Sequence, residues 1–170
     1  AMPAFFILLF IGALIGSWMV CGTIPMLVYW GLQIVDPDYF YVTAFLVPVL
    51  FSSLTGTSYG SAATIGVVLI GIGAALGADL GITAGAIIGG AYFGDKLSPL
   101  SDTTNLAAIA CDVDLYEHIH SMLYTTLPSA VLAGMIFFAV GWGGGDDFSV
   151  ADSSQLENLL QGLTALFNFN

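Results

Sequence analysis

The sequence predicts an all-α integral membrane protein, a polytopic helical bundle with interrupted helices, and three observations carry that prediction. Hydrophobic residues make up 58% of the chain against 8% charged residues, with a mean hydropathy of +0.95, well outside the range of soluble domains. The apolar residues come in long runs. Polar residues, Gly and Pro gather in short breaks between those runs, with the densest break at Gly94 to Asn105 (GDKLSPLSDTTN). A span needs about 20 mostly apolar residues, so the chain has room for about five.

The charge balance narrows the function classes. Twelve acidic residues face a single basic one, Lys96, for a formal net charge of −11, so there is no basic patch for nucleic acid or anionic lipid head groups. The same imbalance removes the Lys/Arg loop asymmetry from which membrane orientation is read. Cys21 and Cys111 sit among small apolar residues and carry no disulfide or metal signature, and no metal or other cofactor is expected. The first residues run straight into the apolar segment Ala4 to Ile15 without a charged leader region, which reads as a start inside a membrane domain. Known carriers repeat a helix set of this size, so residues 1–142 are expected to form one transmembrane repeat of a two-repeat transporter that lacks its other half.

The elements follow in order. Pro3 to Val35 as one helix would be roughly 50 Å long, more than a bilayer accepts without steep tilt. A break is expected at Cys21 to Pro25, where Pro25 disfavours helix at Ile24 and Gly22 tolerates unusual dihedrals; a re-entrant helical hairpin is preferred there over a kinked span. Asp36–Pro37–Asp38 reads as a polar turn, and Tyr39 to Leu54 as the next apolar segment. Thr55 to Ser61 (TGTSYGS) then interrupts it before a further apolar run to Gly77, and the two halves together read as one discontinuous span. Such a break is tolerated at membrane depth where its freed backbone groups line a cavity, which makes Thr55, Gly56, Thr57 and Ser58 a candidate binding segment; a Gly/Ser/Thr packing face between helices is the alternative.

Gly77 to Gly81, with Asp79, reads as a loop, and Ile82 to Phe93 as a short helix whose Ala84, Gly85, Ala86, Gly89 and Gly90 allow close packing. At roughly 18 Å it would end part-way through the bilayer, so Gly94 to Asn105 would begin near the midplane. Leu106 to Cys111 continues as helix, capped by Asp102 or Thr103. Asp112 to His120 reads as an amphipathic interfacial piece, with His118 and His120 pointing apart and so forming no joint metal site. Met122 to Trp142, carrying Pro128, is the last span. Residues 143–170 read as an acidic extramembrane loop followed by a linker helix capped at Ser153 or Ser154.

The chemistry concentrates in the central stretch. A carboxylate at membrane depth is expensive and is retained mainly on ion or proton pathways. Desolvation favours the neutral carboxyl and a bound cation favours the ionised one, so one Asp can alternate between H+ and Na+. Hard cations need oxygen ligands, and Ser101, Asp102, Thr103, Thr104 and Asn105 supply five oxygen-bearing side chains. Asp102 is the first choice for the exchanging carboxylate and Asp95 the second, with Lys96 as the charge partner that keeps Asp95 from being isolated. On the residues alone, a solvent loop between two spans explains the stretch equally well.

GAIIGGAYFGDKLSPLSDTTNLA (85–107), with IGSWMVCGTIPMLVYWGL (15–32) and DLYEHIHSMLYTTLPS (114–129), resembles the NhaC-type Na+/H+ antiporter family of the ion-transporter superfamily. The resemblance runs in order to about Leu132. It implies a multi-pass protein of the bacterial inner membrane, about twice this length, of which this chain is the N-terminal half. It further implies two repeats with re-entrant hairpins and interrupted helices around a central cation site, with no cofactor beyond transported Na+ and H+. The family's polar string falls here on Asp95, Lys96 and Ser98 to Asn105, and its Ser/Thr-rich break on Thr55 to Ser58. The implied partners are the lipid bilayer and the missing C-terminal half, with a homodimer as a further assembly. Carriers that exchange malate for lactate with Na+ and H+ belong to the same group and give a second substrate class.

Two readings compete. Gly56 to Gly60 (GTSYG) satisfies the G-x-S-x-G pattern of serine hydrolases with Ser58 as nucleophile, but that motif needs a strand before it and a histidine within reach. A passive cation channel would use the same oxygen ligands.

Overall fold

The computed structural model describes residues 2–143 and 161–162, and among these all regular structure is helical. The elements are α1 (Met2–Val20), α2 (Thr23–Ile34), a 3-10 turn (Pro37–Tyr39), α3 (Phe40–Thr55), α4 (Ser58–Leu76), α5 (Leu80–Leu97), α6 (Asp102–Cys111) and α7 (Leu115–Gly143). The loop and linker helix expected at residues 143–170 lie almost wholly outside the described residues.

Local sequence sets the breaks. Gly22, with φ +83°, separates α1 from α2, and the chain bends there by 71°. That angle fits a broken span or a re-entrant loop and is more open than a closed antiparallel hairpin: Gly22 takes the left-handed region at the break, and Pro25 sits in the first turn of α2, where its missing N–H leaves no helical bond unmade. Asp36 Oδ1 accepts the Asp38 N–H at 3.1 Å and starts the 3-10 turn. Gly77, at φ +74°, ends α4. Asp79 Oδ1 then accepts the N–H groups of Gly81 (2.7 Å) and Ile82 (2.9 Å) and caps α5.

Three segments among the described residues are long and apolar enough to cross a membrane: Pro37–Thr55, Ser58–Leu76 and Leu115–Trp142. The bent α1–α2 pair makes a fourth if counted as one span, so three or four spans replace the five expected. The Thr55–Ser61 break is also corrected. Phe40, at the start of α3, packs beside Gly73, near the end of α4, while Thr55 and Ser61 hydroxyls lie 3.2 Å apart at the other end. The helices α3 and α4 are therefore antiparallel neighbours joined by a tight turn, each long enough to cross alone. Composition had suggested one discontinuous span because a polar turn between spans and a polar break within one look the same in sequence.

The centre of the bundle is α5, which runs parallel to α3 and packs along it. Gly90 and Gly94 face the α3 backbone at Phe45 and Val49 so closely that a Cβ at either would overlap a carbonyl oxygen, the close approach that small residues four apart permit. The core gathers around this seam, with Phe40, Tyr41, Ala44 and Phe45 of α3, Leu69, Ile72 and Leu76 of α4, and Ala86 and Ile87 of α5 all buried. Tyr41 fastens the far end of the seam, its phenol oxygen accepting the Asp79 N–H at 2.9 Å. The expected interfacial piece at Asp112 to His120 is instead partly the first turns of α7, whose start is capped by Asp114 Oδ1 accepting the Tyr116 N–H at 2.8 Å.

Candidate ion-handling site

The helix α5 extends four residues past Phe93, so Gly94, Asp95 and Lys96 form its last turn instead of opening a loop. Lys96 suits that place, since a cation in the last turn complements the helix dipole. Asp95 lies on the buried side, 7% exposed, and its Oδ1 is fully buried with no hydrogen-bond partner. Lys96, the next residue and so rotated away around the helix, is exposed and forms no ion pair among the described residues. The expected Asp95–Lys96 pairing is not what the structure presents.

After Leu97 the chain leaves the helix for Ser98 to Ser101. Ser98 and Ser101 are both fully buried; Ser98 Oγ accepts the Leu100 N–H at 3.2 Å. Asn105 holds this loop from α6, its Nδ2 donating to the carbonyls of Pro99 and Ser101, each at 2.8 Å. Thr104 Oγ1 donates to the Lys96 carbonyl at 3.2 Å, and Ser101 and Thr103 hydroxyls are 2.9 Å apart. The N-cap of α6 is Ser101, one residue before the candidates Asp102 and Thr103. Asp102 and Thr103 are both exposed on the first turn of α6, where a carboxylate is favoured by the positive helix end.

The second polar segment comes to the same place. Gly56, at φ +69°, lies against Leu100, so close that a Cβ on it would come within 2.6 Å of the Leu100 carbonyl carbon. Thr57 Oγ1 accepts the Gly60 N–H at 3.2 Å and caps α4, and its carbonyl accepts the Ser61 hydroxyl at 2.6 Å. Ser58 is buried on the first turn of α4. The two breaks singled out by sequence, Thr55 to Ser58 and Gly94 to Asn105, thus meet in space. The strand that a serine-hydrolase elbow at Ser58 requires is absent, since helix α3 precedes the motif.

Two contributors went unread in the sequence. Ser52, fully buried on α3, donates to the Ala91 carbonyl of α5 at 2.6 Å and more weakly to the Thr57 carbonyl at 3.3 Å. Ser53 donates to Val49 at 2.8 Å and to the Gly94 carbonyl at 3.3 Å. The signal for them was the Ser52–Ser53 pair itself, two adjacent hydroxyls at the end of an otherwise apolar segment. Among the described residues, no group of three or more His, Cys, Asp or Glu is placed to hold a metal ion.

Residues 90–163 match the family described as the Na+/H+ antiporter family. An uncharacterized Na+/H+ antiporter of Haemophilus influenzae is 51% identical over 99% of this chain and 36% of its own length. The Na+/H+ antiporter NhaC of Alkalihalophilus pseudofirmus is 48% identical over 80% of this chain and 29% of its own. A malate-2H+/Na+-lactate antiporter of Bacillus subtilis is 42% identical over 94% of this chain and 34% of its own. The chain therefore spans about a third of the length of the curated relatives it matches, not the half that the resemblance had implied. No solved structure matches it. With three helices fit to cross a bilayer and relatives of this kind, it is a multi-pass membrane protein. The chain belongs to the NhaC-type Na+/H+ antiporter family.

Proposed function

We propose that the full-length protein exchanges Na+ for H+ across the bacterial inner membrane, and that Asp95 is the carboxylate on which the two cations alternate. The observation that carries this reading is the buried Asp95 Oδ1 with no partner. An ionised carboxylate buried without a partner is strongly destabilising, by several kcal/mol, and either a proton or a cation would satisfy it. The surroundings suit that use. Thr55 to Ser58 and Ser101 to Asn105, the two polar segments that meet near the end of α5, carry hydroxyl and carbonyl oxygens of the kind a hard cation needs.

Asp102 takes second place here, reversing the order suggested by sequence, because it lies exposed on α6. In this reading it is a ligand on the approach to Asp95, and Lys96 balances charge toward the remainder of the polypeptide. That remainder and the bilayer are the partners; a homodimer is compatible with the exposed apolar faces of α6 and α7. Na+ and H+ are cargo, and the exchange uses no cofactor.

The test uses membrane vesicles carrying the full-length protein. Added Na+ should collapse a preformed proton gradient. Na+ conductance without counter-movement of protons would replace exchange with the channel reading. A malate/lactate-type organic acid exchange is a second reading, supported by the name of one relative, and it requires the collapse to depend on added organic acid.

A further inference from the structure

Asp95 has no side-chain donor to fix its Oδ1, so its position depends on the backbone that carries it. Two backbone carbonyls near it are held from outside α5. Ala91 O, which lies one helical turn before Asp95, accepts the Ser52 hydroxyl at 2.6 Å. Gly94 O, from the residue just before Asp95, accepts the Ser53 hydroxyl at 3.3 Å. Both serines come from the last turn of α3, and Gly94 leaves them room, since a Cβ there would sit 3.0 Å from Ser52 Cβ and from the Ser53 nitrogen. Ser52 also reaches the Thr57 carbonyl at 3.3 Å. One buried hydroxyl therefore spans α3, the turn into α4 and the turn of α5 that carries the carboxylate.

We propose that Ser52, assisted by Ser53, is a positioning residue for the Asp95 carboxylate, gripping the α5 backbone in the turn that leads into it and tying it to the Gly56–Thr57 turn. The proposal rests on the assignment of Asp95 made above. A hydroxyl in a helix can satisfy itself on its own preceding turn, as Thr55 does with Phe51 at 2.9 Å. Ser52 instead spends its one proton across the seam. That choice costs the α3 helix nothing and fixes the relative depth of α3 and α5. Movement of Asp95 between two sides of the membrane must then either carry α3 along with α5 or release this bond.

The test compares Ser52→Ala, Ser53→Ala and Asp95→Asn in vesicles of the full-length transporter, reading the apparent KM for Na+, the pH profile of exchange and thermal stability. Ser52→Ala should raise the KM for Na+ roughly three- to tenfold, the fold-change of about one hydrogen bond, and displace the pH profile. Ser53→Ala should do the same more weakly, and it serves if Ser52→Ala does not reach the membrane. A fall in thermal stability with unchanged KM and pH profile would reduce the serines to packing and overturn the proposal, as would no effect at all. Normal exchange by Asp95→Asn would instead remove the assignment of Asp95 itself, whatever the serines do.

Discussion

Asp95 and Asp102 stand in one short polar string, yet the fold treats them in opposite ways. Asp95 is on the last turn of α5, held against α3 by Gly90 and Gly94 and buried with an unsatisfied oxygen. Asp102 is on the first turn of α6, exposed, at a helix end that favours its charge. Both are aspartates beside hydroxyl residues, so composition does not separate them. What separates them is that α5 is surrounded by α3, α4 and α7, whereas α6, among the described residues, packs mainly on α5 and α7. A buried carboxyl without a donor is a stored cost that a cation can relieve; an exposed one at a helix start is already comfortable.

That contrast can be broken most forcefully at the seam that buries Asp95. Gly94→Ala would drive a Cβ into the Val49 carbonyl, and overpacking against backbone costs about 1–3 kcal/mol. We expect a large loss of properly inserted protein and of exchange, measured by thermal unfolding in detergent and by Na+-dependent proton movement. Gly56→Ala strikes the meeting of the two polar segments from the other side. Its left-handed φ costs a non-glycine residue about 1–2 kcal/mol, and its Cβ would press on Leu100, so stability should fall and Na+ affinity with it.

Smaller effects sharpen the comparison. Lys96→Gln should leave Na+-dependent exchange largely intact, because Lys96 forms no ion pair with Asp95; loss of exchange would show that the two charges act together after all. Gly85→Ala should be the mildest change. Nothing lies within 4 Å of a Cβ there, and removing a helical glycine gains about 1 kcal/mol at most. A clear destabilisation by Gly85→Ala in the full-length protein would place another helix on that face of α5.

The sequence was most informative where structure is decided locally. Gly22, Asp36–Pro37, Gly56, Gly77–Asp79 and Ser98–Ser101 all end or start helices as their backbone preferences and capping side chains require. Long-range packing was harder to read. Ending the central helix at Phe93 missed that Asp95 and Lys96 are good enough helix residues to continue it once α3 shelters one side. Treating Thr55 to Ser61 as a gap within one span missed that α4 folds back on α3, which depends on Phe40 finding Gly73 and not on any local residue. Ser52 and Ser53 stayed hidden because their partners, Ala91 and Gly94, are distant in sequence. The two polar segments were visible in the sequence; which of their carboxylates is buried was not, because burial is a property of the neighbours.

The ranking of the two carboxylates is therefore the claim most worth testing. Asp95→Asn and Asp102→Asn should be compared side by side in vesicles of the full-length protein, following Na+-dependent collapse of a proton gradient. Asp95→Asn should abolish exchange, whereas Asp102→Asn should retain it with weaker apparent affinity for Na+. Normal exchange by Asp95→Asn together with complete loss in Asp102→Asn would contradict that ranking.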